Sequence, residues 1–472
     1  MTDFPAKRHL YLFQSFNALS YWIILGTPIV LLTLWLGGGS RAVGIVSSVM
    51  PFLAILQIPS TRYITRLGYR RAMLAGWTSR TMMILGFVAL PFLKNIWSSN
   101  HLVLALVAIL FTWSFLRGLA NVSWFPWLRG LVPEQYRGRY FAWENIYVQL
   151  MSLIIFFLSG LIVGKSPTAF RFSIIYFISF AAGMASLFFL GRIPNVEIPP
   201  HEEAWGPILP AVRHVFRDKN YRRFLIFIFI WTLSNSGFDS FIVLFLRQES
   251  ALSERMILWL GAISSGAMIA ALLGAGKFLD RWGSKPVMKI CLSAILIYLC
   301  FWMMLAEGVF KPHLWLLICL FIYNGMVKAT IWIATWRLLF VTAPQRNSLM
   351  SLAMFNTGVG VFGGATPLFW GFMIPQFPTD YFHSFGYYFM ANMVLTLLAL
   401  MMLQKVREKK SAKTWDVALA LLTLPMRSAL NLLCMLSIFQ NREKAQEDEA
   451  ADGSNAAAST KALNSDNCSG RS

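Results

Sequence analysis

Residues 172–191 read FSIIYFISFAAGMASLFFLG, twenty residues without one charged side chain. As a helix rising 1.5 Å per residue, such a run is about 30 Å long, the thickness of a bilayer's hydrocarbon core. In lipid each backbone N–H and C=O needs a partner within its own segment, so the run is a helix and not an isolated strand. The pattern recurs along the chain, and apolar runs place further spans at 11–36, 42–59, 72–93, 101–127, 141–164, 224–246, 256–279, 286–306, 313–340, 351–375 and 386–405. They explain a composition of 57% hydrophobic and 13% charged residues with a mean hydropathy of +0.58. A soluble domain carries about 25% charged residues, roughly twice as many. The short alternating segments of a β-barrel do not occur. The expected fold class is an all-α polytopic membrane protein with twelve transmembrane helices.

A net charge of +20 raises nucleic acid as a partner. The basic residues, however, sit in short membrane-flanking connections and not on one solvated face, so no nucleic acid is expected. They alternate in density from one connection to the next. Twenty Lys and Arg, from Lys7 and Arg8 through Arg62, Arg129, Arg192, Lys277 and Arg346, fall on one side, against seven on the other. The positive-inside rule then makes both termini cytoplasmic in a cell (inner) membrane. The first apolar run is too long for the core of a secretory signal and lacks a small-residue cleavage site. Cys291, Cys300, Cys319, Cys434 and Cys468 have no metal-ligand spacing and read as small apolar residues.

The chain divides by composition into a six-helix bundle at 1–191, a connection at 192–223, a second six-helix bundle at 224–405, a basic and amphipathic segment at 406–440 and a polar tail at 441–472. The connection holds Pro194, Pro199, Pro200, Pro207 and Pro210 and a short amphipathic stretch at 211–216. Residues 415–439 are apolar but contain Pro425 and Arg427. A thirteenth span would bury that arginine at about 2.5–3.5 kcal/mol, so the segment is expected to lie on the membrane lipid. The two bundles echo each other. Val132-Pro133-Glu134-Gln135 matches Ala343-Pro344-Gln345-Arg346 at an offset of 344 − 133 = 211 residues, and the same offset superposes Arg117 on Lys328 and Asn145 on Asn356. Two pseudo-symmetric halves are expected.

Gly276-x-x-x-Asp280-Arg281-x-Gly283-x-Lys285 resembles the loop motif between helices two and three, and eight and nine, of the major facilitator superfamily. Arg66, Gly68, Arg70 and Arg71 occupy the matching loop of the first half, where Thr61 and Thr65 replace the motif's Gly and Asp. The resemblance covers residues 11–406. It implies alternating access by two bundles around a cavity lined by helices one, four, seven and ten, with these loop residues as a gating latch. The fifth span lacks the Gly-Pro pair of drug/proton antiporters, and residues 192–197 are not of the sugar-porter type.

Ionisable groups inside spans are costly and mark function. Arg117 and Lys328 take equivalent places in spans four and ten. Trp113, Asn121 and Trp124 share a helical face with Arg117, and Asn324, Trp332 and Thr335 share one with Lys328. Two cations beside tryptophan planes suit an anionic, ring-bearing solute such as a sugar acid or sugar phosphate. In the competing reading the cations are structural, with Arg117 neutralised by Glu144. Asp239 lies in span seven, four residues after Asn235, and Asn17 and Tyr21 hold corresponding places in span one. Burial disfavours a charged carboxylate unless a cation offsets it, so Asp239 either carries a coupling proton or permanently balances Lys328. Arg80 and Glu144 read as a structural or gating pair. Gly358, Gly360, Gly363 and Gly364, followed by Pro367, make span eleven either a bending element or a close-packing face. No cofactor, metal or hydrolytic motif is present, so no enzyme is expected. The expected function is secondary transport of a small solute, by a monomer, with a proton as co-substrate. A lipid or drug exporter, or a scaffold without transport activity, are the alternatives.

Overall fold

The computed structural model describes residues 6–56, 60, 67–164, 166–196, 216–250, 252–344, 348–377, 382–408 and 414. The chain forms one unit over Met1–Ser411 and a second over Ala412–Ser472. Of the second, only Thr414 is described, so the expected interfacial segment and tail lie outside the described residues, as do Arg66 and most of the connection at 197–215.

Fifteen α-helices make up the described architecture. In order they are α1 (Lys7–Leu25), α2 (Thr27–Trp35), α3 (Ser40–Leu53), α4 (Tyr69–Ala89), α5 (Ser99–Asn121), α6 (Trp124–Leu131), α7 (Glu134–Val163), α8 (Ala169–Leu190), α9 (Lys219–Asn235), α10 (Phe238–Gln248), α11 (Glu254–Trp282), α12 (Ser284–Ala306), α13 (Leu314–Thr342), α14 (Ser348–Met373) and α15 (Ser384–Lys405). Joined end to end where only one or two residues intervene, they give eleven stretches long and apolar enough to cross a membrane, and the shorter apolar helix Ser40–Leu56 stands second in order. No strand occurs among the described residues. Apolar stretches find no partner for their backbone in lipid, and the helix is the geometry that satisfies it internally.

The helices fall into two six-span halves. In the first, α1 packs on α7 and α8, and α4 packs on α5 and α8. In the second, α9 packs on α14 and α15, and α12 packs on α13 and α15. The pseudo-symmetry is visible in backbone detail. Gly68 and Gly283 both precede a helix with positive φ, +81° and +87°, a conformation that costs glycine no steric clash. Arg70 then donates to the Gly191 carbonyl, and Lys285 donates to the Gln404 carbonyl (3.0 Å) and to that of Val406. Each loop is thus tied to the last span of its own half. Glu408 completes the second tie by accepting from the free N–H groups of Ser284 (3.0 Å) and Lys285 (2.8 Å) at the start of α12. The side chains of Gly276's neighbours and of Asp280 lie outside the described residues.

The halves meet along two antiparallel seams, α3 with α14 and α7 with α11. Small residues let the backbones approach. A Cβ on Gly44 would stand 2.5 Å from the Pro367 carbonyl oxygen and 2.8 Å from Gly371 Cα; one on Gly360 would stand 2.9 Å from the Pro51 carbonyl oxygen. The glycines of span eleven therefore serve close packing, and α14 runs unbroken through Pro367. In the second seam Ser152 and Ser265 join by their hydroxyls at 2.9 Å. The seams are joined on the side away from the termini by α2, which packs on α10 and α11. The terminal-side partners α1 and α9 pack principally within their own halves.

Candidate functional site

Two spans are interrupted. The first breaks at Gly26, whose backbone is extended (φ −94°, ψ −158°), just before Pro28. The seventh breaks at Ser236 and Gly237, and Gly237 has φ +74°. These glycines differ by 237 − 26 = 211 residues, the offset of the sequence repeat. The second break is held in place on all sides. Ser236 Oγ donates to the Gly363 carbonyl at 2.6 Å, and Ser234 Oγ meets Thr396 Oγ1 at 2.7 Å. A Cβ on Gly237 would stand 2.7 Å from Pro367 Cγ. Phe238 packs among Tyr298, Tyr388 and Phe389 with ring centres 5.9–6.1 Å away.

This anchoring sets Asp239 in the first turn of α10, where unpaired N–H groups favour a negative charge. Its Oδ1 lies 2.6 Å from Lys328 Nζ at the centre of α13 and accepts from Asn324 Nδ2 at 3.4 Å. The Asp239 side chain is 70% exposed and that of Lys328 only 17%. A carboxylate so exposed inside a membrane span faces a space that water fills. Trp332, one turn from Lys328, is 51% exposed, whereas Asn324 is buried. Asn235 is half-buried beside the break.

The first half is different. Arg117 on α5 is half-buried, with its guanidinium carbon 5.1 Å from the Tyr21 ring centre. Trp113 is buried at 1% exposure and Asn121 is half-buried. Arg117 makes no ion pair with Glu144 among the described residues. The Glu144 carboxylate instead accepts from Gln14 Nε2. Gln14 Oε1 accepts from Asn17 Nδ2 at 3.3 Å, and Asn17 Oδ1 accepts from Trp77 Nε1 at 3.2 Å and from an Arg80 Nη. Arg80 and Glu144 are therefore linked through two amides and not paired directly. Gln14, an uncharged residue with no repeat partner to mark it, is the member that sequence reasoning did not single out. Arg117 and Lys328 thus hold equivalent positions with unlike partners: an aromatic ring for one, a carboxylate for the other.

Twelve spans in two halves, with charged groups inside the spans and an interrupted helix on each side, define a polytopic membrane transporter fold. The description "Major Facilitator Superfamily" matches residues 10–308 and 233–441, and the chain belongs to that family. Among solved structures it is similar to a D-xylose-proton symporter (TM-score 0.67, 13% identity, covering 87% of this chain and 99% of that one). It is also similar to the nucleoside transporter NupG (0.61, 15%, 85% and 99%). A bacterial homologue of the iron transporter ferroportin in an inward-facing state is a third (0.62, 13%, 86% and 99%). At these identities the likeness is one of fold. A comparison with curated proteins gives no match.

Proposed function

We propose that the chain is a secondary transporter that carries a small anionic, sugar-derived solute by alternating access, with a proton as the coupled ion. The observation that supports this reading is the Asp239–Lys328 pair, seated at an anchored helix break with the Asp239 side chain exposed. An incoming acid group competes with Asp239 for Lys328. Asp239, freed from its cation, takes up a proton, so solute and proton bind with positive coupling. Trp332 offers its exposed ring to the apolar face of a sugar. The loop residues Gly68, Arg70, Arg71, Arg281, Gly283 and Lys285, with Gly276 and Asp280, act as the gate on the terminal side, and the protein acts as a monomer.

Counterflow in proteoliposomes tests the reading, with glucuronate, gluconate and glucose 6-phosphate as anionic solutes and glucose as the neutral control. Counterflow is expected for anions at rates at least tenfold above glucose, the discrimination of about 1.4 kcal/mol or more that a charge-assisted contact supplies. Exchange of glucose at the same rate, or of none of the anions, sinks it. The same reading puts both termini and the connection at 192–223 in the cytoplasm of a cell (inner) membrane. Alkaline phosphatase fused after residue 200 or after residue 472 is therefore expected to be inactive; activity from either fusion reverses the orientation.

A further inference from the structure

Inside the first half, on the adjacent helices α4 and α5, two guanidinium groups have no carboxylate on either among the described residues. Arg80, on α4, is 2% exposed. One of its terminal nitrogens donates to Asn17 Oδ1, and the other is buried without a partner. Its plane is flanked by Trp77 and Trp113, with ring centres 4.0 and 5.1 Å from the guanidinium carbon. Arg117 lies on the neighbouring α5, one turn after the Trp113 whose ring Arg80 covers. Arg117 Nε is buried and unpartnered, and so is Trp113 Nε1. The carboxylate in this region, Glu144, is taken up by Gln14.

An uncompensated charge inside a protein costs several kcal/mol, and a like charge beside it adds to that cost. An anion that comes and goes would balance such a pair. The donors left open here, an Arg80 Nη, Arg117 Nε and Trp113 Nε1, are those an oxyanion takes. The two tryptophan rings fix the Arg80 fork by cation–π contact, so little side-chain freedom is lost when an anion binds. Arg117 is half-buried, whereas Arg80 is 2% exposed. Lys328 in the other half is already occupied by Asp239.

We infer that Arg80 and Arg117 form a two-arginine subsite, built wholly within the first half, for the oxyanion group of the solute, a carboxylate or a phosphate. This rests on the reading of the chain as a carrier of anionic solutes, and it adds to the contact at Lys328 a second anion contact built within the first half.

The test uses purified full-length protein in detergent, with inorganic phosphate and acetate as probes at constant ionic strength maintained by chloride. Thermal midpoint and tryptophan fluorescence are followed. A saturable response to at least one probe is expected, and which probe gives it tells phosphate from carboxylate chemistry. Arg80→Gln and Arg117→Gln are each expected to raise the half-saturating concentration at least tenfold, and Arg80→Lys, which keeps the charge but not the fork, is expected to raise it less. Lys94→Met, which removes a cation beyond the end of α4 that donates to the Trp35 carbonyl, is expected to leave the response in place. Size-exclusion profiles identify any variant that fails to fold, and Arg80→Lys with Arg117→Gln then carry the comparison. The subsite is overturned if the wild-type protein responds to neither probe, if folded Arg80 variants respond like wild type, or if Lys94→Met abolishes the response. A protein that binds the probe through both arginines yet exchanges no solute in liposomes leaves the subsite standing and overturns the transport reading instead.

Discussion

Asp239→Asn is expected to separate exchange from accumulation. The amide has the size of the protonated acid and keeps a contact with Asn324, which lies 3.4 Å from Oδ1, but it cannot release a proton. Solute counterflow between compartments of equal pH should persist within about twofold. Uptake driven by a pH gradient should fall by about tenfold or more, the range of a typical coupling free energy. The physical reason lies in the 2.6 Å contact with Lys328. With aspartate, loss of the cation to a solute leaves a charge that a proton must balance; with asparagine there is no charge to balance. If Asp239→Asn instead abolishes solute binding, and the double change with Lys328→Ala restores a folded but inactive protein, the pair is a structural neutralisation. Proton coupling at this site is then dropped.

Gly44→Leu should have the largest effect on the conformational equilibrium. Even the first added carbon would stand 2.5 Å from the Pro367 carbonyl oxygen and 2.8 Å from Gly371 Cα, both backbone atoms of the opposite half. Neither can yield without displacing α14, and overpacking of this kind costs about 1–3 kcal/mol. The packing of α3 on α14 then loses its advantage over competing arrangements. Arg41 stacks over Phe372 across the same seam at 5.8 Å, so a bifunctional thiol reagent bridging cysteines introduced at these two positions reports the approach of α3 and α14. Cross-linking in an otherwise cysteine-free protein should slow by about tenfold in the Gly44→Leu background, the rate change that 1.4 kcal/mol gives. Unchanged cross-linking with unchanged transport would show that this glycine contact is not what holds α3 on α14.

Much of the fold is legible in the sequence because hydropathy is a one-dimensional signal. The span expected at 172–191 is α8 at Ala169–Leu190, and that expected at 313–340 is α13 at Leu314–Thr342. Lys328 and Asp239 are also legible, since a charge inside an apolar run stands out and few partners can balance it. The interruptions are not. Gly26-Thr27-Pro28 and Ser236-Gly237 carry helix-breaking residues, but hydropathy passes over them without a change. Spacing alone pairs Arg80 with Glu144, because span position does not show which helix face turns inward. The actual connection runs through Gln14 and Asn17, whose amides carry no charge to attract notice. Sequence spacing equates Arg117 with Lys328, and it is tertiary packing that supplies a tyrosine ring to one and a carboxylate to the other.

The paired glycine interruptions have a mechanical consequence. A continuous helix is a stiff rod that transmits torque from one leaflet to the other; a rod cut at Gly26 or Gly237 does not. The upper segments α2 and α10 stay docked to each other while α1 and α9 remain attached to their separate neighbours below. In the proposed alternating-access cycle, α1 and α9 can therefore move without separating α2 from α10. The two leaflets can be disengaged in turn, as the two doors of an airlock are, with each glycine break acting as the universal joint between them.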